Sequence, residues 1–142
     1  MSEPQWIWQS EYVVPSNAGA GCDATHKVIE QLEKFRWDDN DIFSIQLAME
    51  EAVVNAVKHG NRMNCDKKVR IAARLAADLI RIEIIDEGSG FDPETLPDPT
   101  QEPHCNAPCG RGVMLMRNFM NSVTFNAAGN GVILEKRRGV SA

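Results

Sequence analysis

Hydrophobic and polar side chains alternate along two neighbouring segments in the middle of the chain. The apolar members occupy every second position of residues 68–75 and 79–86: Val69, Ile71, Ala73, Leu75, Ile80, Ile82 and Ile84. A period of two turns one side of a strand towards a core and the other towards water. Because the connection through Ala77 and Asp78 is short, the pattern predicts an antiparallel pair of strands.

Helical periodicity replaces this alternation in two earlier segments. Ser16 or Asn17 can cap a first helix, whose apolar positions include Val28, Ile29, Leu32 and Phe35. The run Asp38–Asp41 offers the cap of a second helix, with apolar positions at Ile45, Met49, Val53 and Val57. This second helix is predicted from Ile42 to about His59, with Gly60-Asn61 as its stop.

The remaining segments complete an α+β order of elements. Residues 6–14 are rich in aromatic and β-branched side chains and stop at Pro15, which is typical of a strand. Four prolines between positions 97 and 108 predict a loop at 87–111, and loops of this length are usually functional or mobile. A helix from Gly112 to about Asn121 and strands at 122–127 and 131–137 follow. We expect one domain, residues 1–142, forming a two-layer α+β sandwich, a mostly antiparallel mixed sheet with about three helices on one face.

Charge and composition argue against several classes of protein. The chain has 15 basic and 20 acidic residues, a net charge of −5, whereas general nucleic-acid binders need basic side chains against the phosphates. A membrane span of about 18 apolar residues is not evident, nor is a signal peptide, so we expect a cytoplasmic protein. In that compartment the four cysteines are expected to be thiols: Cys22, Cys65, Cys105 and Cys109.

The first stretch with candidate chemistry is the end of the second helix. Glu51, Asn55 and His59 follow one another at intervals of four residues, so on a helix their side chains share one stripe. An amide oxygen is a hard ligand for Mg²⁺, and a carboxylate can take a proton from an attacking hydroxyl, as phosphoryl transfer requires. Taken alone, the same residues also fit an ordinary solvated helix face.

Two glycine-containing stretches follow. Asp86 ends an apolar strand and precedes Gly88 and Gly90; its carboxylate can accept a hydrogen bond from the adenine amine, and glycines let a flat ligand approach. Residues 110–113, Gly-Arg-Gly-Val, stand where the long loop meets a helix. Backbone N–H groups at a helix start attract phosphates, and Arg111 adds a cation. Alone, the first stretch also fits a tight turn and the second a hinge.

The order of these three stretches resembles the N, G1 and G2 boxes of the GHKL ATPases, a superfamily that includes gyrase and histidine kinases. Within it the chain is similar to the anti-sigma-factor serine kinases of bacteria, over roughly residues 10–137. The resemblance extends to Asn64-Cys65, which leads into the strand at 68–75, and to residues 116–120 before the fourth strand. A Walker A motif is absent from the sequence.

The resemblance implies an ATP- and Mg²⁺-dependent protein-serine kinase. Such a protein phosphorylates a small antagonist protein, sequesters a sigma factor and works as a homodimer. Glu51 would be the general base, Asn55 would hold Mg²⁺, and Asp86 would bind adenine N6. The other implied nucleotide-binding positions are Lys58, His59, Gly88, Gly90, Gly110, Arg111, Gly112 and Val113.

Two features leave alternatives open. Val132 follows Gly131 where many members of the family have a threonine that helps to hold adenine, and losing a neutral hydrogen bond costs about 0.5–1.5 kcal/mol. The chain could therefore be a non-catalytic regulator that binds partners with ATP as a clamp, or without nucleotide. Cys105 and Cys109 could form a disulfide that locks the long loop, against the simpler interpretation of two unrelated thiols.

Overall fold

The computed structural model describes residues 5–61, 64, 66–88 and 110–140, without the side chains of 18, 59 and 110–113. In chain order the elements are β1 (Trp6–Pro15), α1 (Ala18–Lys34), α2 (Asp39–Asn55), a π-helical turn (Ala56–Gly60), β2 (Lys68–Ala76), β3 (Leu79–Asp86), α3 (Gly110–Phe119), β4 (Ser122–Phe125) and β5 (Gly131–Arg137). The predicted order of strands and helices is confirmed.

The five strands form one sheet in the order β1-β2-β3-β5-β4. Each pairing is antiparallel, and the register sets Ile82 of β3 opposite Ala73 of β2 and Leu134 of β5. The expected α+β sandwich is therefore confirmed, and its described strands are antiparallel throughout rather than mixed. Hairpins join β2 to β3 and β4 to β5, and β5 enters the sheet beside β3 in the opposite direction.

One face of the sheet carries the core. The alternating apolar residues of β2 and β3 that the sequence placed on one side are buried, and the helices cover them with side chains that are themselves fully enclosed: Val28, Leu32, Ile45 and Met49. Truncating such a side chain to alanine costs about 2–5 kcal/mol. The contacts of α1 with β1 and β2, of α2 with β5 and of α3 with α2 and β4 hold the helices on this face.

Two side-chain caps set where the first helices begin. Asn17 caps α1, because its Oδ1 accepts a hydrogen bond from Ala20 N at 2.8 Å. Asp38 caps α2 by accepting from Asn40 N at 2.9 Å. The second helix therefore starts at Asp39, ahead of its predicted start at Ile42, since the cap orders the polar first turn as well.

Some expectations fall on parts of the chain that are only partly described. Cys22 is an exposed free thiol, whereas Cys65, Cys105 and Cys109 lie outside the described residues, and with them the possible disulfide. Within the described ranges, every helix is too short or too polar to cross a bilayer.

Candidate functional site

A cleft opens at the edge of the sheet where β3 ends and β5 begins. Its polar lining includes the predicted site residues Asn55 and Asp86, together with Asn130. Its apolar lining comprises Ala52, Ala56, Ile84, Met116, Phe125 and Val132. The fold therefore brings the amide of the second helix and the acid of the strand end to one cavity, with an apolar surface between them.

Asp86 is the last residue of β3 and is half-buried beside the cleft. Burial raises the pKa of its carboxyl above the ordinary value of 3.8, against the lowering effects of a hydrogen bond from the Gly88 backbone and of the positive charge of Lys67. Gly88 N donates to Asp86 Oδ1 at 2.7 Å. The carboxylate can therefore offer further acceptor sites to a ligand in the cleft, where partial burial strengthens a hydrogen bond.

The backbone of Asp86 is fixed by the start of β5. Asp86 N donates to Asn130 O at 2.9 Å, and Asn130 Nδ2 donates to Asp86 O at 3.2 Å. Asn130 is in turn held by Asn126, whose Nδ2 donates to Asn130 Oδ1 at 2.9 Å. The strand end that carries the acid is therefore anchored to the opposite wall of the cleft.

Glu51 and Asn55 lie one turn apart on α2, which stays α-helical through Asn55. Both are half-buried, and only Asn55 is part of the cleft lining. Among the described residues the Asn55 carboxamide has no hydrogen-bond partner, so its oxygen is available to a hard cation or a polar ligand. The neighbouring Glu50 differs, since it accepts a hydrogen bond from Gln46 Nε2 at 3.2 Å.

A π-helical turn replaces the α-helix after Asn55. Its i→i+5 hydrogen bond runs from Asn61 N to Ala56 O at 2.8 Å. Single turns of this kind occur often at functional sites. The α-helical spacing therefore does not extend to His59, whose side chain lies outside the described residues. Lys58 is exposed and is not among the cleft-lining residues.

Two glycines allow the π-helical turn to pack directly against the end of β3. A Cβ added to Gly60 would overlap the carboxylate of Asp86, and a Cβ added to Gly88 would overlap the carbonyl oxygen of Gly60. A side chain at Gly88 would force these segments apart, and one at Gly60 would displace the Asp86 carboxylate. The sequence predicted that Gly88 would let a ligand come close to the backbone. The group that comes close to Gly88 is the backbone carbonyl of Gly60.

The third predicted stretch is only partly described. Gly110, Arg111, Gly112 and Val113 form the first residues of α3, so the helix begins two positions before its predicted start at Gly112. Their side chains lie outside the described residues, as does Gly90 entirely. Met116, farther along α3, lines the cleft, so this helix borders the cavity that holds Asn55 and Asp86.

Sequence reasoning missed the apolar surface of the cleft and the polar support of Asp86. Ile84 and Met116 carry a hydrophobic pattern that also fits an ordinary core. Ala52 and Ala56 flank Asn55 as small residues, which was a usable signal of space beside the amide. Asn130 could be found only once β5 was known to pair with β3, because that pairing sets Ile85 opposite Gly131.

Comparisons with known proteins agree with this architecture. A family model of the histidine kinase-like ATPase domain matches residues 18–136, and such a domain implies ATP binding. The crystal structure of the RsbU and RsbW domains of Rv1364c from Mycobacterium tuberculosis superposes with a TM-score of 0.64 at 20% identity, over 96% of this chain and 33% of that one. At that identity the likeness shows the fold alone.

Similar sequences carry related names. The anti-sigma F factor of Bacillus velezensis is 36% identical over 92 residues, 63% of this chain and 62% of that protein. The anti-sigma F factor of Clostridium beijerinckii is 34% identical over 107 residues, 71% and 74% of the two chains. The serine/threonine-protein kinase BtrW of Bordetella bronchiseptica is 28% identical over 92 residues, 63% and 65% of the two.

The match to the first of these relatives covers only 62% of that relative's length. The family model, in contrast, covers most of this chain, and the cleft holds the amide and the acid expected of the N and G1 boxes. The chain belongs to the GHKL family of histidine kinase-like ATPase domains, in the group that contains the anti-sigma F factors.

Proposed function

We propose that this chain is an anti-sigma regulatory factor that uses Mg·ATP to phosphorylate a serine of a small antagonist protein. It acts as a single ATP-binding domain and as a homodimer. The observation that carries the proposal is the meeting of Asn55 and Asp86 in one cleft with an apolar lining. The names of its relatives, anti-sigma F factor and serine/threonine-protein kinase, supply the class of activity and partner.

The described residues fit a purine nucleotide. Asp86 presents a half-buried carboxylate to accept from the exocyclic amine of adenine, and the side chains of Ile84, Met116 and Val132 offer apolar surface to the flat base. The Asn55 amide oxygen, which has no partner among the described residues, suits Mg²⁺. Bound Mg²⁺ would neutralise charge on the phosphates.

Glu51 is assigned as the general base of the transfer. It stands one helical turn before Asn55 and is half-buried outside the cleft lining, so its side chain is partly accessible to a partner hydroxyl. Its carboxylate would take the proton of the attacking serine while the serine oxygen forms a bond to the γ-phosphorus. The bond to ADP breaks as the new one forms, and ADP leaves with that electron pair.

The remaining positions keep the roles that the family resemblance gives them. We assign contact with the phosphates to Lys58 and His59 at the π-helical turn. The same role is assigned to the residues at the start of α3, Gly110, Arg111, Gly112 and Val113, whereas Gly90 is assigned, with Gly88, to shaping the turn beneath the base. Gly88 shapes the turn beneath Asp86, as its close contact with Gly60 supports.

Partner choice would depend on the nucleotide. A sigma factor is held by one nucleotide state, and the antagonist protein displaces it or is phosphorylated in another. Such switching requires that each partner bind the two nucleotide states with different affinities. Reciprocally, the sigma factor should change the affinity of the chain for ATP by the same factor.

Transfer of label tests the proposal directly. The full chain is incubated with γ-labelled Mg·ATP and each candidate antagonist protein, and phosphoserine is identified by mass spectrometry. Label on one antagonist, dependent on the chain and on Mg²⁺, is the expected result. Absence of label on every antagonist that binds the chain would overturn the kinase assignment.

A second candidate function is a regulator without phosphoryl transfer. The specific observation that favours it is Val132, which lines the cleft without a hydroxyl group. Calorimetry with Mg·ATP separates the two forms of this alternative. Binding without transfer indicates ATP as a structural clamp, and no heat at millimolar ATP indicates a nucleotide-free regulator.

A further inference from the structure

Asn61, the residue that follows the π-helical turn, is completely buried and fully engaged. Its exposed fraction is 0%. Its Nδ2 donates to Ser16 Oγ at 3.1 Å and to Lys68 O at 3.0 Å, and its Oδ1 accepts from Glu87 N at 2.8 Å. Both N–H donors and the carbonyl oxygen of the side chain are therefore paired.

These bonds join separate segments at the cleft end of the sheet. Ser16 follows β1, Lys68 begins β2, and Glu87 follows the last residue of β3. The backbone N–H of Asn61 also closes the π-helical turn on Ala56 O. One side chain thus ties the ends of three strands to the turn that continues α2.

Asn61 fixes the residues on both sides of the Asp86 carboxylate. On one side it holds Glu87, so the peptide that follows Asp86 cannot rotate freely. On the other side its neighbour Gly60 packs so closely on Asp86 that a Cβ would overlap the carboxylate. Gly88, next to Glu87, donates directly to Asp86 Oδ1.

Only an asparagine side chain supplies this set of bonds without rearrangement. The site needs two donors and one acceptor at the end of a short side chain. Aspartate has the same shape but no donor when ionised, and it would set a negative charge against the Lys68 carbonyl oxygen. Alanine would leave the buried Ser16 hydroxyl and the part-buried backbone groups Lys68 O and Glu87 N without this partner.

We propose that Asn61 is a positioning residue for adenine recognition. It never contacts the nucleotide; it holds the turn 86–88 so that the Asp86 carboxylate faces the exocyclic amine of the base. The inference rests on the proposed function, in which Asp86 reads that amine. It adds a residue outside the cleft lining to the machinery that distinguishes adenine from other purines.

The test compares ATP with ITP, which carries an oxygen in place of the amine. Affinities of Mg·ATP and Mg·ITP are measured by calorimetry for the full chain and for Asn61→Asp. The parent chain should prefer ATP. In Asn61→Asp the affinity for ATP should fall about tenfold and that for ITP much less, so the ATP/ITP ratio should fall as well.

Asp41→Ala is the matched control for loss of stability alone. Asp41 is a buried polar residue at the other end of the sheet, where it accepts from Gly139 N at 2.8 Å and pairs with Lys136. This variant should melt at a lower temperature and keep the ATP/ITP ratio of the parent chain. If both variants change the ratio equally, Asn61 acts through general stability and the inference is overturned.

Failure of the inference and failure of the proposed function give different results. A parent chain that does not prefer ATP removes the role of Asp86 in reading the amine, and the inference with it, whereas transfer of label decides the kinase assignment separately. A parent preference that persists in Asn61→Asp overturns the inference alone. If Asn61→Asp does not fold, Ser16→Ala takes its place, because it removes one acceptor of Asn61; it should lower the ratio about twofold, and an unchanged ratio overturns the inference.

Discussion

The two ends of the sheet both hold polar side chains, but those that line the cleft are paired differently from those at the far end. At the far end, where β5 finishes, Lys136 Nζ lies 3.5 Å from Asp41 Oδ1 and also donates to Val140 O. Arg138 there donates to three backbone carbonyls, of Phe35, Arg36 and Ala77. At the cleft end, Asp86 and Asn55 keep acceptor positions open within the described part of the chain.

This difference separates stabilising polar groups from functional ones. Paired groups at the far end recover their lost hydration through partners inside the protein. The Asp86 carboxyl recovers it only in part, which is why burial raises its pKa. The ionised Asp86 carboxyl therefore lowers stability, a cost that the proposed role in ligand binding would explain.

The largest effect is expected from Glu51, the proposed general base. Glu51→Ala should slow phosphorylation of the antagonist about 10²- to 10⁴-fold, because proton transfer by a positioned carboxylate contributes that much. The affinity for ATP should stay close to that of the parent chain. Rates from γ-labelled ATP and affinities from calorimetry are the measurements.

Glu50→Ala is the control for this change. Glu50 precedes Glu51 on α2 and is engaged by Gln46. The Glu50→Ala variant should retain most of the parent chain's rate of antagonist phosphorylation. If both variants lose the same fraction of the phosphorylation rate, the rate depends on the total negative charge of this helix end and not on Glu51 as a single general base.

At the far end, removing one partner of the buried pair should cost stability and spare the cleft. Lys136→Met leaves the buried Asp41 carboxylate without its cation, and breaking such a pair costs about 3–5 kcal/mol. Urea denaturation measures the loss, and calorimetry well below the melting temperature should show parent affinity for ATP. The double variant Asp41→Leu/Lys136→Met should recover most of the stability, since no buried charge is left unpaired.

A weakened ATP affinity in folded Lys136→Met would contradict the division between the two ends. It would mean that the sheet transmits the loss from one end to the other. The same measurement on the double variant would then show whether charge or packing is responsible.

Asp86→Asn should have opposite effects on stability and on binding. The pKa of Asp86 is raised in the folded chain, so its contribution to stability is fully present below about pH 3.8 and is lost as pH rises through the folded pKa. At neutral pH, where ionised Asp86 disfavours folding, the variant should be as stable as the parent or more so. Its ATP affinity should fall about tenfold or more, as for a lost hydrogen bond to a charged group.

The pH dependence of ATP affinity offers a second test of Asp86. As pH falls through the raised pKa of Asp86, the parent chain should lose ATP affinity because the carboxyl becomes protonated. Asp86→Asn should keep only the pH dependence that ATP itself brings. Identical pH profiles for the two proteins would mean that the ionised carboxylate does not bind the base.

The smallest effect is expected at Val132. Val132→Thr adds a hydroxyl group to the cleft lining, and one neutral hydrogen bond to adenine would strengthen binding by about 0.5–1.5 kcal/mol. Val123→Thr, on β4 and outside the cleft lining, is the control and should leave the affinity unchanged. Weaker ATP binding in Val132→Thr would show that this wall of the cleft is used for apolar contact only.

Local periodicity was enough to predict the elements, because each depends on neighbours in sequence. The alternation around Ile82 located the central hairpin, and the acidic run at Asp38 located a helix start. The change from α-helix to π-helical turn after Asn55 was beyond such reasoning, because the close packing of Gly60 on Asp86 depends on tertiary contacts.

The same limit explains which site residues were found. Asn55 and Asp86 belong to short patterns with a known chemistry, and their convergence in one cleft follows the predicted order of boxes. Asn61 and Asn130 look like ordinary turn residues, since asparagine is common at helix ends and in hairpins. Their importance depends on partners 26 and 44 positions away, which no local pattern contains.

The place of β5 in the sheet has a consequence for biosynthesis. The cleft has one wall from residues near 55 and 86 and another from residues 129–132, and it closes only when β5 pairs with β3. A chain that leaves the ribosome amino end first can therefore fold its helices and central hairpin while the cavity still lacks a side. The cleft can therefore capture a nucleotide only after residues 131–137 have left the ribosome and paired with β3.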